Sequence, residues 1–345
     1  MTAPLVTGLR FALGLALLAG LVGRAAATDA ERVATARSMV TLAGTYMQQG
    51  RVQDALRLLE KSLAIQRRFL GVDHAQTQDS MALLSSTLTS LGRYNDAALL
   101  DEEVYSLRRK ALGADHPKTI ESMVNLGVSS VAQGRLDQAY ELTQAALAWH
   151  RKRGELESPQ AIEIMSNLAG IESALGRYAQ AVPLDEAVYA SLAKRLGPNA
   201  PDTLLSMVVL AHDYAETGRD ADAVRVAERA APLLKRQWGG DHLETLRNQR
   251  TLAKAYGRLG NTPAALALGQ AALDQLRQKV GPEHPESALA AVVVADTYDA
   301  LGRSAQARNL REAALGTLER SLGRQHPKTQ EILQVLARRP LGAGS

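Results

Sequence analysis

Five histidines, His74, His116, His242, His284 and His326, each follow an Asp, Glu or Gln and stand 42 residues, or a multiple of 42, apart. Five methionines, Met39, Met81, Met123, Met165 and Met207, keep the same interval. Imidazoles in series are the material of a zinc site, and thioethers in series are soft ligands of the kind that hold copper. Both chemistries need ligands that converge about 2 Å from one centre. An interval of 42 forbids this, because it puts equivalent side chains in successive structural units whose helix layers stack about 10 Å apart. The histidines therefore read as loop or cap residues. The methionines read as core filling, since Gln249 and Ala291 take the same position further along.

Other chemistries find no support. The chain has no G-x-S-x-G elbow, no phosphate-cradling glycine loop, no H-E-x-x-H pair and no cysteine at all. No catalytic residue, cofactor or metal is expected. The one departure from the repeating pattern that carries charge is Arg247, Arg250, Lys254 and Arg258, spaced i, i+3, i+7 and i+11, which puts four cations on one helical face. Matching positions one unit away set Glu216 opposite Arg258 and Asp296 opposite Lys254. Arg247 faces Leu205 and Leu289, and Arg250 faces Val208 and Val292, so these two are expected to lack an acid. A guanidinium left so would pair bidentately with a carboxylate or phosphate. His212 is expected beside them.

The elements that position these residues follow from punctuation. Glycine falls at Gly50, Gly92, Gly134, Gly176, Gly218, Gly260 and Gly302 without slip, and all but Gly260 precede Arg. A second series, offset by half a period, runs Gly71, Gly113, Gly197, Gly239, Gly281 and Gly323, with Gly154 beside the missing place at Glu155. Glycine accepts the left-handed backbone that ends a helix, so each unit has two turns and two helices of about 17 residues, or ~25 Å. Pro117, Pro159, Pro201, Pro285 and Pro327 stand where the first helix of a unit starts, a place that suits a residue without an N–H. Leu42, Leu84, Leu126, Leu168, Leu210, Leu252, Val294 and Leu336 share a position three after the methionines, which marks one buried face per unit. Ala55, Ala97, Ala139, Ala181, Ala223, Ala265 and Ala307 share one position of the second helix, where a small side chain admits close approach.

The expected architecture is all-α: a right-handed helical-repeat solenoid of seven helix pairs over residues 28–339, with repeats at about 30–71, 72–113, 114–155, 156–197, 198–239, 240–281 and 282–323. A capping helix at 327–338 should cover the last hydrophobic face, with Leu301 and Leu310 beneath it, and residues 340–345 form a tail. The first 27 residues have Arg10, an apolar run from Phe11 to Val22 and Ala25-Ala26-Ala27, the layout of a cleaved secretory signal peptide. The apolar run is short of the ~20 residues that span a bilayer, so export to the periplasm or medium is expected, with an uncleaved anchor as the alternative. The formal charge of +4 contains Arg10 and Arg24; without them 38 basic residues face 36 acidic ones, a balance that gives no footprint for nucleic acid.

The segments "NLGVSSVAQGRLDQAYELTQAALAWHRKR" (Asn125 to Arg153) and "TLAKAYGRLGNTPAALALGQAAL" (Thr251 to Leu273) resemble tetratricopeptide repeats, specifically the 42-residue kind of kinesin light chains. Leu252, Ala253, Tyr256, Gly260 and Ala265 stand at that family's spacing. The resemblance covers about residues 30 to 339. HEAT-type repeats share the period but not a fixed Gly–Ala turn signature. Leu88, Ser130 and Glu172 replace the family's Tyr, which predicts looser packing in units two to four.

The resemblance implies a superhelix with a concave groove that binds a protein or peptide without catalysis. It further implies that positions 2, 5, 6, 9 and 13 of each first helix, counting Met39 as 4, line that groove. Asn125 and Asn167 fall where related repeats use asparagine to bond an extended backbone, an amide being both donor and acceptor. Expected partner contacts are thus Asn125, Asn167, His212, Arg247, Arg250 and Lys254, toward an acidic segment or a C-terminal carboxylate. The alternative is a receptor whose Arg247 and Arg250 hold a small anionic ligand.

Overall fold

The computed structural model describes residues 28–338. The expected signal peptide, at 1–27, and the tail from 340 lie outside the described residues. Every described residue outside a turn is helical. The fifteen helices among the described residues are α1 (Asp29–Gln48), α2 (Val52–Phe69), α3 (Ala75–Ser90), α4 (Tyr94–Leu112), α5 (Pro117–Ala132), α6 (Leu136–Lys152), α7 (Pro159–Ala174), α8 (Tyr178–Leu196), α9 (Pro201–Glu216), α10 (Asp220–Trp238), α11 (Leu243–Arg258), α12 (Thr262–Val280), α13 (Pro285–Ala300), α14 (Ser304–Ser321) and α15 (Pro327–Arg338). They are the seven pairs and final helix that the glycine spacing predicts. Pro183 and Pro232 sit inside α8 and α10 without ending them.

The turns explain the repeating letters. All fourteen series glycines have positive φ, between 72° and 96°. Within each pair the residue after glycine donates its N–H to the carbonyl five residues back, as in Arg135 to Ser130 at 2.9 Å and Arg219 to Tyr214 at 2.9 Å, the closing bond of a Schellman motif. The arginine that follows glycine then serves locally: Arg51 lies over the Tyr46 ring at 4.0 Å and Arg219 over Tyr214 at 4.2 Å, while both bond the acid three residues on, Asp54 and Asp222. At the exception, Asn261, the side-chain oxygen caps α12 by accepting from Ala264 N–H.

Each of the five recurring histidines is the N-cap of an odd-numbered helix. The Nδ1 atoms of His74, His116, His242, His284 and His326 accept the backbone N–H two residues on, at 3.1 to 3.3 Å. An Nδ1 that accepts from the backbone is engaged in capping the helix. No group of metal-ligating side chains occurs among the described residues. Met81, Met123, Met165 and Met207 are buried, and all seven alanines of the close-approach position are fully so.

Chain contacts form two compact units, one ending at Leu142 and one beginning at Thr143. In the first, α2 packs between α1 and α3, and α4 between α3 and α5, around Leu59, Leu63, Met81, Leu88 and Val104. Leu42 is 43% exposed where its equivalents Leu84 to Val294 are at most 7%, because no helix pair precedes α1 among the described residues. In the second unit every even-numbered helix from α8 to α14 packs on the odd-numbered helix that precedes it and on the one that follows. The odd helices α9, α11 and α13 pack side by side and form the inner layer. Leu88, Ser130 and Glu172, where looser packing was expected, are all buried: Ser130 donates to Leu126 carbonyl, and Glu172 lies 3.6 Å from Arg177. No helix among the described residues is long and apolar enough to cross a membrane.

The last helix caps the array, but not as the sequence suggests. Ile332 is buried and Leu336 half-buried in a cluster with Leu310, Leu318 and Val294, whereas Leu301 remains 42% exposed. Leu301 is the C-cap of α13 and takes no part in that cluster, so only the Leu310 part of the expectation holds.

Candidate interaction site

The inner layer of the second unit lines a cavity of about 390 Å³. Its walls come from α7, α9, α11 and α13, and α15 covers one side. The groove positions implied by the repeat resemblance supply most of it: Val208, Val209, His212 and Glu216 from α9, Arg247, Arg250, Thr251 and Lys254 from α11, Leu289, Val292, Val293 and Asp296 from α13. Four of the six expected partner residues, His212, Arg247, Arg250 and Lys254, are thus brought together. Asn167 is on α7 but does not line the cavity, and Asn125 belongs to the other unit. Both amides are half-buried, with no hydrogen bond among the described residues.

The cations are not free, and this corrects the sequence reading. Arg247 donates to Glu286 at 2.9 Å and to Glu244 at 2.7 Å, and Arg250 bonds the other oxygen of Glu286. Side chains lean toward the N-terminus of their own helix, so Arg247 and Arg250 reach the first turn of α13 rather than their matching positions Leu289 and Val292. Lys254, expected opposite Asp296, instead meets Glu216 at 2.8 Å. Arg258, expected opposite Glu216, bonds the Ala215 carbonyl and lies 3.6 Å from Asp220. Asp296 is taken by Arg311 at 2.5 Å.

Glu216 is the centre of the site, and the sequence marked it only as a neighbour. Its side chain is 7% exposed and receives Lys254 on one oxygen and Lys328 of α15 on the other, the latter at 2.5 Å. Burial opposes its ionisation, but Lys254 and Lys328 outweigh burial and hold its carboxyl well below the usual range. The same crowding acts on Lys254, whose pKa burial lowers with help from Lys328. His212 sits edge-on to Tyr178, with ring centroids 5.9 Å apart, and its Nε2 is 3.8 Å from Glu216. Burial pushes its pKa down to about 3, and Arg250, Lys254 and Lys328 add to the fall against the pull of Glu216. His212 is therefore neutral at physiological pH and adds no positive charge.

Behind Glu216 two carboxyls meet. Asp185 on α8 and Asp213 on α9 are both buried, and the Ser173 hydroxyl donates to Asp213 at 2.5 Å. Burial raises both carboxyls, Asp185 further because Asp213 stands beside it, so the pair holds a proton between them.

A tetratricopeptide-repeat family model matches residues 34–110, 125–194, 160–236 and 244–320, well over half of the chain. The chain belongs to the tetratricopeptide-repeat family. Its repeats are of the kinesin light chain kind: the kinesin light chain nearly identical TPR-like repeats of Podosopora anserina are 27% identical, with a TM-score of 0.51 over 60% of this chain and 98% of that one. BtubC (BKLC) from P. vanneervenii is similar at 17% identity and TM-score 0.50, over 74% of this tetratricopeptide-repeat chain and 94% of its own. Apo RapI shares the fold at 9% identity and TM-score 0.57, over 82% and 97%. Among curated proteins none matches.

One turn glycine of this tetratricopeptide-repeat chain touches α15. A Cβ on Gly176 would stand 3.2 Å from Pro327 Cγ, whereas one on Gly218 meets nothing within 4 Å, at nearly the same φ. Alanine costs about 1 kcal/mol of backbone strain at either place. Only Gly176→Ala should also push on α15, so hydrogen exchange of the α15 amides should quicken in that variant and stay at the parent rate in Gly218→Ala. Equal exchange in the two would remove Pro327 from the turn.

Proposed function

We propose that the chain is an exported scaffold that binds a protein or extended peptide on the inner, odd-helix face of its repeats and performs no chemistry of its own. The observation that carries this is a division of labour. The residues that recur with the repeat, the turn arginines, cap histidines, methionines and small alanines, are used in building the fold. What differs between repeats collects on the inner face, around a cavity with an aliphatic floor and paired charges. Tetratricopeptide-repeat proteins bind protein partners, and a solenoid of helix pairs presents such a face for a helix or strand to lie along. The leader layout of residues 1–27 supports export, with the mature chain beginning at Thr28.

An acidic anchor at Arg247 and Arg250 has less support. Both guanidiniums already share Glu286, and a carboxylate or small anion would have to compete with it. The aliphatic inner-face positions are better placed. Leu205 and Val209, on α9, are 38% and 43% exposed, so replacing both with Lys should leave the fold intact. Capture from an envelope extract with the purified chain should recover a protein that the Leu205→Lys, Val209→Lys variant loses. Equal recovery by both, or none by either at saturating bait, would sink the scaffold reading. N-terminal sequencing of native material should begin at Thr28; a retained residue 1 in the membrane fraction would replace the exported form with an anchored one.

A further inference from the structure

The contact between α15 and the inner face spans more of the chain than any other ion pair described: Lys328 and Glu216 are 112 residues apart. Pro327 meets the α7–α8 turn at Gly176, and the Lys328 ammonium stands 5.3 Å from the Tyr178 ring centroid. One turn on, Ile332 is buried, and a further turn on Leu336 joins the same cluster. The first turns of α15 thus lie along the inner face that the proposed function gives to a partner.

Charge gives the chemistry of that place. Apart from α15 itself, five acidic side chains line the cavity, Asp213, Glu216, Glu244, Glu286 and Asp296, against three basic ones, Arg247, Arg250 and Lys254. The arginines neutralise Glu286 and Glu244, and Asp296 has Arg311. Glu216 is the lining carboxylate that α15 itself neutralises: Lys254 takes one oxygen and Lys328 the other. An ammonium between a carboxylate and an aromatic face is doubly favoured. What holds α15 is otherwise small: only Thr329 and Ile332 of its twelve residues are buried.

We infer that α15 is an internal ligand, which occupies the inner face of the second unit and yields it to a basic amphipathic helix that presents a Lys or Arg followed by aliphatic residues four and eight positions on. The inference rests on the scaffold reading and names the partner chemistry for it. It replaces an acidic partner with a basic one, because the carboxylate that loses its cation when α15 leaves is Glu216. While α15 is seated, apparent affinity for such a helix is reduced by the fraction of molecules with the face open.

The test uses the full chain and a labelled peptide of residues 325–338. In the Lys328→Glu, Ile332→Asp variant the two seats of α15 are removed and the peptide should bind at least about tenfold tighter than to the parent, a factor that corresponds to one molecule in ten being open. Lys328→Glu in the peptide, or Glu216→Gln added to the dislodged variant, should abolish that gain. In the parent, saturating peptide should raise hydrogen exchange of the Thr329 to Leu336 amides. Should the double variant lose its helix content, Lys328→Ala alone serves, with a smaller gain of the same sign.

Equal peptide affinity in the parent and a folded dislodged variant overturns the inference, as does undiminished binding of the Lys328→Glu peptide. The two readings fail separately. If the parent captures a protein through Leu205 and Val209 while α15 stays protected with that protein bound, the scaffold stands and the internal ligand falls. If the peptide exchanges as described but no protein is captured, α15 is a lid without the scaffold role.

Discussion

Glu216→Gln should lower the thermal midpoint of the second unit more than any other single neutralisation on its inner face. The carboxylate is nearly buried and is the counter-charge for two ammoniums, Lys254 and Lys328, each only 15% exposed. Removing one partner of a buried pair leaves charge without compensation, a loss of about 3 to 5 kcal/mol. For a unit of this size that is roughly 10 °C in midpoint. Lys328→Gln should cost less, because Lys254 remains on Glu216. The sign with pH follows from a folded carboxyl held below its unfolded value. Its contribution is complete above the usual carboxylate range of about 4 and is lost as pH falls through the depressed folded value. The difference in midpoint between parent and variant should therefore narrow between pH 5 and pH 3 without closing, since pH 3 still lies above the folded value. A midpoint for Glu216→Gln within a degree or so of the parent at pH 7 would show that the lysines are adequately solvated without it.

Asp185→Asn should do the opposite, and raise stability where the parent is weakest. Asp185 is 5% exposed and burial pushes its carboxyl up to about 8, with Asp213 beside it. A carboxyl raised in the folded state binds more protons folded than unfolded, so stability falls as pH rises from about 4, the unfolded value, to about 8. Asn keeps the shape, cannot ionise and supplies an N–H to Asp213. The gain at pH 8 should be about 2 kcal/mol, a fraction of what so large a shift implies because the two carboxyls share the cost. Near pH 5 the gain should shrink toward zero, since the parent is protonated there. Chemical denaturation of the second unit across this range checks it. A parent whose stability is flat from pH 5 to pH 8 would mean that the pair does not hold its proton.

These two carboxylates mark the boundary of what the letters alone disclose. The helix pairs, the turns, the caps and the buried stripe were legible because each is decided within about one helical turn. A left-handed glycine, a proline at N1, an i, i+3 apolar pair and an alanine at a close approach act on their immediate neighbours, and the 42-residue repetition states each rule at least five times. The histidines and methionines lost their apparent chemistry on the same grounds, from spacing alone.

The placement of the inner-face charges was legible only in part. That positions such as His212, Arg247, Arg250 and Lys254 share one face followed from periodicity, and the cavity brings them together. Which acid each cation meets did not follow. Pairing by equal repeat position assumes side chains that stand square to their helices, whereas long ones lean toward the N-terminus, and Arg247 and Arg250 so reach Glu286 a turn away. Asn167 shares the repeat position of Val209 yet stays off the cavity wall, to which α7 contributes Gly170 and Ser173 instead.

Local sequence determined the repeat, its turns and its core; tertiary structure decided the site. The return of Lys328 to Glu216, 112 residues back, depends on the sum of small rotations between successive helix pairs, and so does the choice of which face of α15 meets the inner layer. No short-range rule contains that sum. The meeting of Asp185 with Asp213 likewise needs two helices at contact distance before burial can act on either. Burial and charge proximity are properties of the packed unit, and through them ordinary carboxylates and lysines acquire their altered protonation and their partners.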